Sequence, residues 1–404
     1  MKRVDWGVCA SVGFKAYGIY CGIRKNKTKK DLSLIFSVVP ADAAAVFTTN
    51  LVKGAPLIVT KEHLKDGKAQ AIICNSGNAN TCNANGIEIA EETCKLIASE
   101  LNINPNDVIV GSTGVIGQPL NIEPIKNGIP ALVAGLTEEG SQDAALGIMT
   151  TDTKLKEIAF EFDIDGKPCH IGGIAKGSGM IHPNMATMLV YITSDVNIDS
   201  KLLQKALSDT VVDTFNMISV DGDTSTNDTV AIMANGMANN NRIQEEDANY
   251  NTFKEALNNV MVYLCRKIAK DGEGATKLLE CKVSGAETKD IARTVAKSVI
   301  CSSLTKAAMF GADANWGRVL CAIGYSGAKV DVTKVDVSFK SAKGTIEVCK
   351  DGAGVDFSEE KAKEILLEDE IEILVSLNSG NESATAYGCD LTYDYVKING
   401  DYRT

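Results

Sequence analysis

Between Ala159 and Ile192 the chain reads AFEFDIDGKPCHIGGIAKGSGMIHPNMATMLVYI, and three successive patterns in this stretch set the fold. Ala159 to Ile164 alternates apolar and polar residues. Asp165-Gly166 is a two-residue turn, and Cys169 to Ile174 resumes the strand pattern, so the segment predicts a β-hairpin. From Gly172 to Thr187 come four glycines, a lysine, a proline and an asparagine. Met188 to Ile192 is then a continuous apolar run, as in a strand buried on both faces. Outward from this stretch, Asp31 to Val39, Ala69 to Cys74 and Asp107 to Val110 also read as strands. Helical periodicity appears in Ile87 to Leu101 through Ile89, Ile97 and Leu101. It recurs in Leu203, Leu207, Val211 and Phe215, and again in Phe253, Leu257, Leu264 and Ile268 before Asp271-Gly272. Hairpins mixed with long helices predict an α+β fold rather than a parallel dinucleotide-binding sheet. Beyond Cys281 the pattern changes to a helix from Thr288 to Ile300 and several polar strands. This divides the chain into residues 1–280 and 281–404.

The bulk numbers narrow the functional class. The 404 residues are 45% hydrophobic and 23% charged, an ordinary globular mixture that buries a large core unaided. A net charge of −11, with Lys25 to Lys30 the one short basic run, argues against nucleic acid or an anionic membrane as partner. Twelve cysteines are scattered from Cys9 to Cys389 without a C-x-x-C pair, several in apolar runs, as reduced buried thiols are. With three histidines a Cys/His zinc site is disfavoured, and no metal is expected. Met1 to Tyr20 has no apolar targeting core and no stretch reaches membrane-spanning length, so a cytoplasmic protein is expected.

The glycine-rich run is neither a phosphate-binding loop nor a dinucleotide fingerprint. Its chemistry lies in Thr187, at the start of the buried strand. If the bond before it is cut, Thr187 gains an α-amine with a pKa of roughly 7.7–8.0, a base beside its own hydroxyl. Nucleophile and base then share one residue, which answers the absence of an evident Ser-His-Asp set. His182, beside a proline in a loop, reads as structural. Gly111 to Gly117 (GSTGVIG) follows a strand and is either a tight turn or a set of N–H groups converging on an oxyanion. Met149 to Thr153 (MTTDT) is a polar cluster. Asp221 to Asp228 (DGDTSTND) opens like a calcium loop, but Thr226 and Ile232 occupy the positions that need glycine and glutamate, so an EF-hand is rejected. Asp271 to Ala275 (DGEGA) stops a helix, which allows Glu273 to be no more than a solvated cap residue.

Taken together, these motifs resemble the ornithine acetyltransferase family of arginine biosynthesis, also called glutamate N-acetyltransferases. The resemblance spans nearly the whole chain. It runs through Val46 to Asn50 (VFTTN), Cys74 to Asn80 (CNSGNAN), the GSTG segment, Thr150 to Thr153, Lys176 to Thr187, Ser219 to Asp228, Asp271 to Thr276, Asn315 to Arg318 (NWGR) and Val396 to Thr404 (VKINGDYRT). Gly400, where alanine is expected, is a small departure. The resemblance implies an αββα-type sandwich with a smaller C-terminal α/β domain. It implies self-cleavage between Ala186 and Thr187 into an α chain of residues 1–186 and a β chain of residues 187–404, assembled as an α2β2 heterotetramer. Thr187 is then the nucleophile, Thr113 and Gly114 the oxyanion pair, and Thr153, Lys176, Glu273, Asn399 and Thr404 the further substrate contacts. The implied reaction moves acetyl from N-acetylornithine to glutamate by a ping-pong route through acetyl-Thr187, with no cofactor. The resemblance leaves open whether acetyl-CoA is also a donor. A self-cleaving aminopeptidase or amidohydrolase of related fold would differ by giving the acyl group to water, and an amino-acid-binding protein by keeping its chain intact.

Overall fold

The computed structural model describes residues 1–182 and 188–400. The expected nucleophile Thr187, its neighbour Ala186 and the terminal Thr404 lie outside the described residues. In chain order the elements are β1 (Lys2–Val4), β2 (Phe14–Ile19), β3 (Leu32–Phe47), α1 (Ala55–His63), β4 (Lys68–Asn78), α2 (Gly86–Leu101), β5 (Val108–Val115), α3 (Ile122–Ala134) and α4 (Ser141–Ile148). Next come β6 (Lys156–Ile164), β7 (Lys167–Lys176), β8 (Leu189–Ser194), α5 (Ser200–Val212), β9 (Ile218–Ser219), β10 (Thr229–Ala234) and α6 (Ala248–Lys270). The remainder is β11 (Leu278–Ala286), α7 (Lys289–Cys301), α8 (Ser303–Phe310), α9 (Trp316–Gly324), β12 (Asp336–Ser341), β13 (Gly344–Lys350), β14 (Ala353–Gly354), α10 (Glu359–Leu366), β15 (Glu370–Ser376), β16 (Glu382–Cys389) and α11 (Tyr393–Gly400).

The hairpin of β6 and β7 forms as its pattern predicts, with Asp165 and Gly166 both in the left-handed region at φ 55° and 72°. The first sheet has the order β1-β6-β7-β8-β10-β3-β4-β5, with β2 paired to β3. Strand β3 runs on past Val39, where the sequence pattern breaks at Pro40. Its pairing with β4 shifts between Phe36 and Ala41, so Pro40 sits where the ladder asks for no N–H. The sheet doubles over at this strand. Ile35, Ile72 and Ile109 of one half share an apolar cluster with Ile174, Leu189 and Tyr191 of the other. Helices α1 to α3 cover Leu34, Ile73 and Val110 on one outer face, and α5 and α6 cover Ile171, Val190 and Ile192 on the other. Two sheet layers between two helical layers are the expected αββα sandwich.

Local sequence explains the covering helices. Asp199 and Asp247 cap α5 and α6 by accepting N–H bonds from Lys201 and Tyr250. Leu203, Leu207 and Val211 bury one face of α5, and Phe253, Leu257, Leu264 and Ile268 bury one face of α6. Phe215, the fourth member of the first series, is buried in a short turn after α5 has ended. The second sheet, ordered β14-β13-β12-β15-β11-β16-β9, carries α7 on β11 and β16. The division expected between residues 280 and 281 lies within β11. Among the described residues the twelve cysteines are unbridged, and no helix is long and apolar enough to cross a membrane.

Candidate active site

Two strand ends and the chain after α6 converge on one cavity of about 260 Å3. Strand β5 does not stop at Val110. Gly111 to Val115 continues it, paired in parallel with Cys74 to Asn78 of β4, so the GSTG segment is strand rather than turn. Thr113 thus stands on a rigid ladder. Gly114 has φ +128°, and a Cβ there would lie 2.5 Å from the carbonyl carbon of Gly77, so no larger residue fits. Lys176, expected in the glycine-rich loop, is instead the last residue of β7, in register with Leu189 of β8. Residues 177–188 connect these two paired strands. Met188, next to the expected nucleophile, is tied down by the Thr229 N–H, which donates to its carbonyl at 2.8 Å.

The cavity wall gathers Thr113, Gly114, Lys176, Glu273 and Asn399, five of the expected site residues, from four separate segments. The Lys176 ammonium lies 3.3 Å from Thr113 Oγ1. An ammonium only donates, so the Thr113 oxygen accepts this bond and its own O–H is left to donate elsewhere. Glu273 is buried and accepts from Asn399 Nδ2 at 2.8 Å, so it is not a solvated cap. Its carboxylate presses on Gly179, where a Cβ would lie 2.4 Å away. Lys176 and Glu273 are the one cation and the one carboxylate on the described wall.

A buried ion cluster fixes this wall. Lys156, whose side chain is fully buried, bridges Asp152 at 2.6 Å and Asp271 at 2.5 Å. Asp152 also accepts the N–H of Thr150 at 3.0 Å and of Gly177 at 2.7 Å, and so ties the MTTDT segment to the glycine-rich run. Burial alone would raise the Asp152 carboxyl, but the charges of Lys156 and Lys176 and the Gly177 N–H hold it below the usual range. Thr153 does not reach the cavity wall. Its N–H and hydroxyl both donate to Asp271, and it lines a neighbouring cleft beside Lys154 and Lys270. Thr150 and Thr151 stand on the cavity wall instead.

Sequence reasoning also left Ser225, Thr226 and Asn227 without a role, though all three line the cavity. Asn227 Nδ2 donates to the carbonyls of Ala79 at 2.6 Å and Ser112 at 2.9 Å, and its Oδ1 accepts from the hydroxyls of Thr81 and Thr226. It thereby joins the CNSGNAN, GSTG and DGDTSTND segments. The density of polar residues in DGDTSTND was the available signal. Next to it, burial raises the Asp228 carboxyl well above its usual value.

His182 stands outside the cavity wall. Its Nδ1 is 3.1 Å from Ser219 Oγ, and burial followed by the charge of Lys297 lowers its pKa to about 4, as befits a structural, neutral histidine. Among the described residues no cluster of three or more His, Cys, Asp or Glu is placed to hold a metal ion. The wall therefore offers hydroxyls, amides, one cation and one anion, a set suited to orienting a small zwitterion and stabilising an oxyanion.

Comparison with known proteins shows the family of the chain. The ArgJ family model matches residues 15–404. The Arginine biosynthesis bifunctional protein ArgJ of Caldanaerobacter subterraneus subsp. tengcongensis is 53% identical over 405 residues, covering 100% of both chains. ArgJ 1 of Clostridium acetobutylicum is 52% identical over 97% of this chain and 96% of its own. The crystal structure of the argJ protein from Bacillus halodurans is 47% identical with a TM-score of 0.50, and the match covers 52% of this chain and 98% of that one.

Proposed function

The chain belongs to the ArgJ family, and from that premise we propose that this acetyltransferase of arginine biosynthesis moves acetyl from N-acetylornithine to glutamate through an acetyl ester on Thr187. The observation that carries the reading is the cavity in which Thr113, Gly114, Lys176, Glu273 and Asn399 meet beside the connection that bears Thr187. In the first half-reaction the α-amine of Thr187 takes the proton of its own hydroxyl, and the oxygen attacks the acetyl carbonyl. The Thr113 hydroxyl and Gly114 N–H hold the developing oxyanion, an interaction worth on the order of 100- to 1000-fold per donor. The C–N bond breaks, the amine returns the proton to the leaving nitrogen, and ornithine departs. Glutamate then attacks the ester by the reverse of these steps. Lys176 holds the α-carboxylate that both substrates share, Glu273 faces the cationic end of ornithine, and Asn399 and Thr404 supply neutral contacts.

The same hydroxyl prepares the catalyst. It attacks the Ala186 carbonyl, the C–N bond breaks as the acyl group shifts from nitrogen to oxygen and frees the α-amine, and water then hydrolyses the ester to release the Ala186 carboxylate and restore the hydroxyl. The half-length of the Bacillus halodurans chain supports this maturation: nearly all of it matches about half of this chain, the proportion expected of residues 187–404. The reading extends to an α2β2 assembly in the cytoplasm. The word bifunctional in the relatives' names supports acetyl-CoA as a second donor.

Thr187→Ala tests this directly. It removes nucleophile and base together, so the variant is expected to remain one uncut, inactive chain on denaturing gels, while wild type runs as two fragments and forms acetylglutamate only when glutamate is added. Two normal fragments from the alanine variant, or free acetate as the main product regardless of glutamate, contradict the reading and favour the hydrolase.

A further inference from the structure

Lys25 to Lys30 is the one short basic run of an acidic chain, and no step of the exchange proposed above is assigned to it. It lies on an excursion between β2 and β3 that is firmly built. Buried Asp31 accepts the N–H groups of Cys21, Gly22 and Arg24 at 2.7, 3.2 and 3.0 Å, and the Arg24 guanidinium donates to the carbonyls of Ser76 and Met149. This loop walls a second cavity of about 540 Å3. Lys25 and Lys29 line it together with Arg24, and no carboxylate is among its lining residues. Lys29 is anchored at its mouth, 3.4 Å from the carbonyl of Thr150. Gly114, Val115, Thr150 and Thr151 line both cavities, so the second opens on the acetyl site across the oxyanion segment itself.

Size and charge identify the occupant. The inner cavity of about 260 Å3 falls below the 300–1,000 Å3 typical of pockets for larger ligands and suits an amino acid. The outer cavity is larger than either amino-acid substrate calls for, and its cations suit a ligand with several negative charges. We propose that the Lys25–Lys29 cavity is the docking site for the phosphorylated portion of an acyl-thioester donor, whose acyl end passes Gly114 to reach the nucleophile. This rests on the acetyl-transfer reading above. The Thr187 oxygen bonds to the acyl carbon, the C–S bond breaks, and the hydroxyl proton passes through the α-amine to the departing thiolate. The cavity then releases a free thiol, and the acetyl ester is the same one that acetylornithine makes.

The double variant Lys25→Gln/Lys29→Gln, in cleaved enzyme, tests the site with acetyl-CoA, with acetyl-pantetheine (the same thioester without the nucleotide phosphates) and with the acetylornithine–glutamate exchange. The expected result is a KM for acetyl-CoA raised roughly five- to thirtyfold at low salt, with little change in kcat, in the KM for acetyl-pantetheine or in exchange. An unchanged KM for acetyl-CoA overturns the proposal. So does a wild type that exchanges acetyl between amino acids but takes none from acetyl-CoA, which leaves the function above intact. A raised KM for glutamate in exchange overturns it too, since the lysines would then read the glutamate side chain. A wild type that performs neither reaction removes the function and the proposal together.

Discussion

Lys176 and Thr113 show how one side chain sets the donor direction of another. The ammonium occupies an acceptor position on the Thr113 oxygen from 3.3 Å and leaves the hydroxyl proton to donate elsewhere. The same ammonium is the only cation on the described wall for an α-carboxylate. Lys176→Met is therefore expected to lower kcat/KM for acetylornithine and for glutamate by similar factors, roughly ten- to a hundredfold. Separate half-reaction kinetics check this, and a loss confined to one substrate would mean that Lys176 reads a side chain. At this scale much of the site was legible, because glycines and polar residues packed into short motifs have few structural uses. Which member of a motif faces the cavity was not legible. Thr153 and Thr151 differ by two positions, yet the buried Asp271 claims the first and leaves the second on the wall.

Among the elements, the start of β6, the end of α6 and the run after β7 are locked by Lys156 between two carboxylates. Removing the cation leaves Asp152 and Asp271 buried without the charge that pairs them, a change that costs about 3–5 kcal/mol. Lys156→Met is expected to lose stability on that scale in urea unfolding at pH 7. The pH dependence has a definite sign. The folded-state pKa of Asp152 lies below its unfolded value, so its contribution is complete above about pH 4 and is lost as pH falls through the folded value. In the variant the share of that depression due to Lys156 is gone, so the deficit relative to wild type should shrink as the solution is acidified below the unfolded value. An equal deficit at pH 7 and at about pH 2.5, well below the unfolded value, would rule out the charge account. The hairpin of β6 and β7 and the periods of α5 and α6 were legible because each buries one face against a single layer. The far ends of β3, β4 and β5 were not, because Pro40 and the glycine-rich segments carry little strand propensity and are held by neighbouring strands rather than by their own composition.

On the scale of the whole molecule, the expected cut would leave one sheet made of two chains. Strands β8 and β10 lie after residue 187, and in the sheet they are flanked by β7 on one side and β3 on the other, both from before residue 186. Separating the fragments would open two strand ladders and the apolar cluster shared by Ile35, Ile174 and Leu189. The halves are therefore expected to co-elute under native conditions and to part only on unfolding. The αββα layering was legible from the motifs that carry the family resemblance. The doubling of the sheet at β3 was not, since it depends on contacts between residues far apart in the chain. The central claim, that Thr187 is both the new terminus and the carrier of acetyl, is tested most directly by intact mass measurement of the purified protein incubated with N-acetylornithine and no glutamate, then quenched in denaturing acid. The account predicts two polypeptides, residues 1–186 and 187–404, the second heavier by one acetyl group that glutamate removes. An active single chain of 404 residues, or a cleaved enzyme that turns over while acetyl never appears on the second polypeptide, would contradict it.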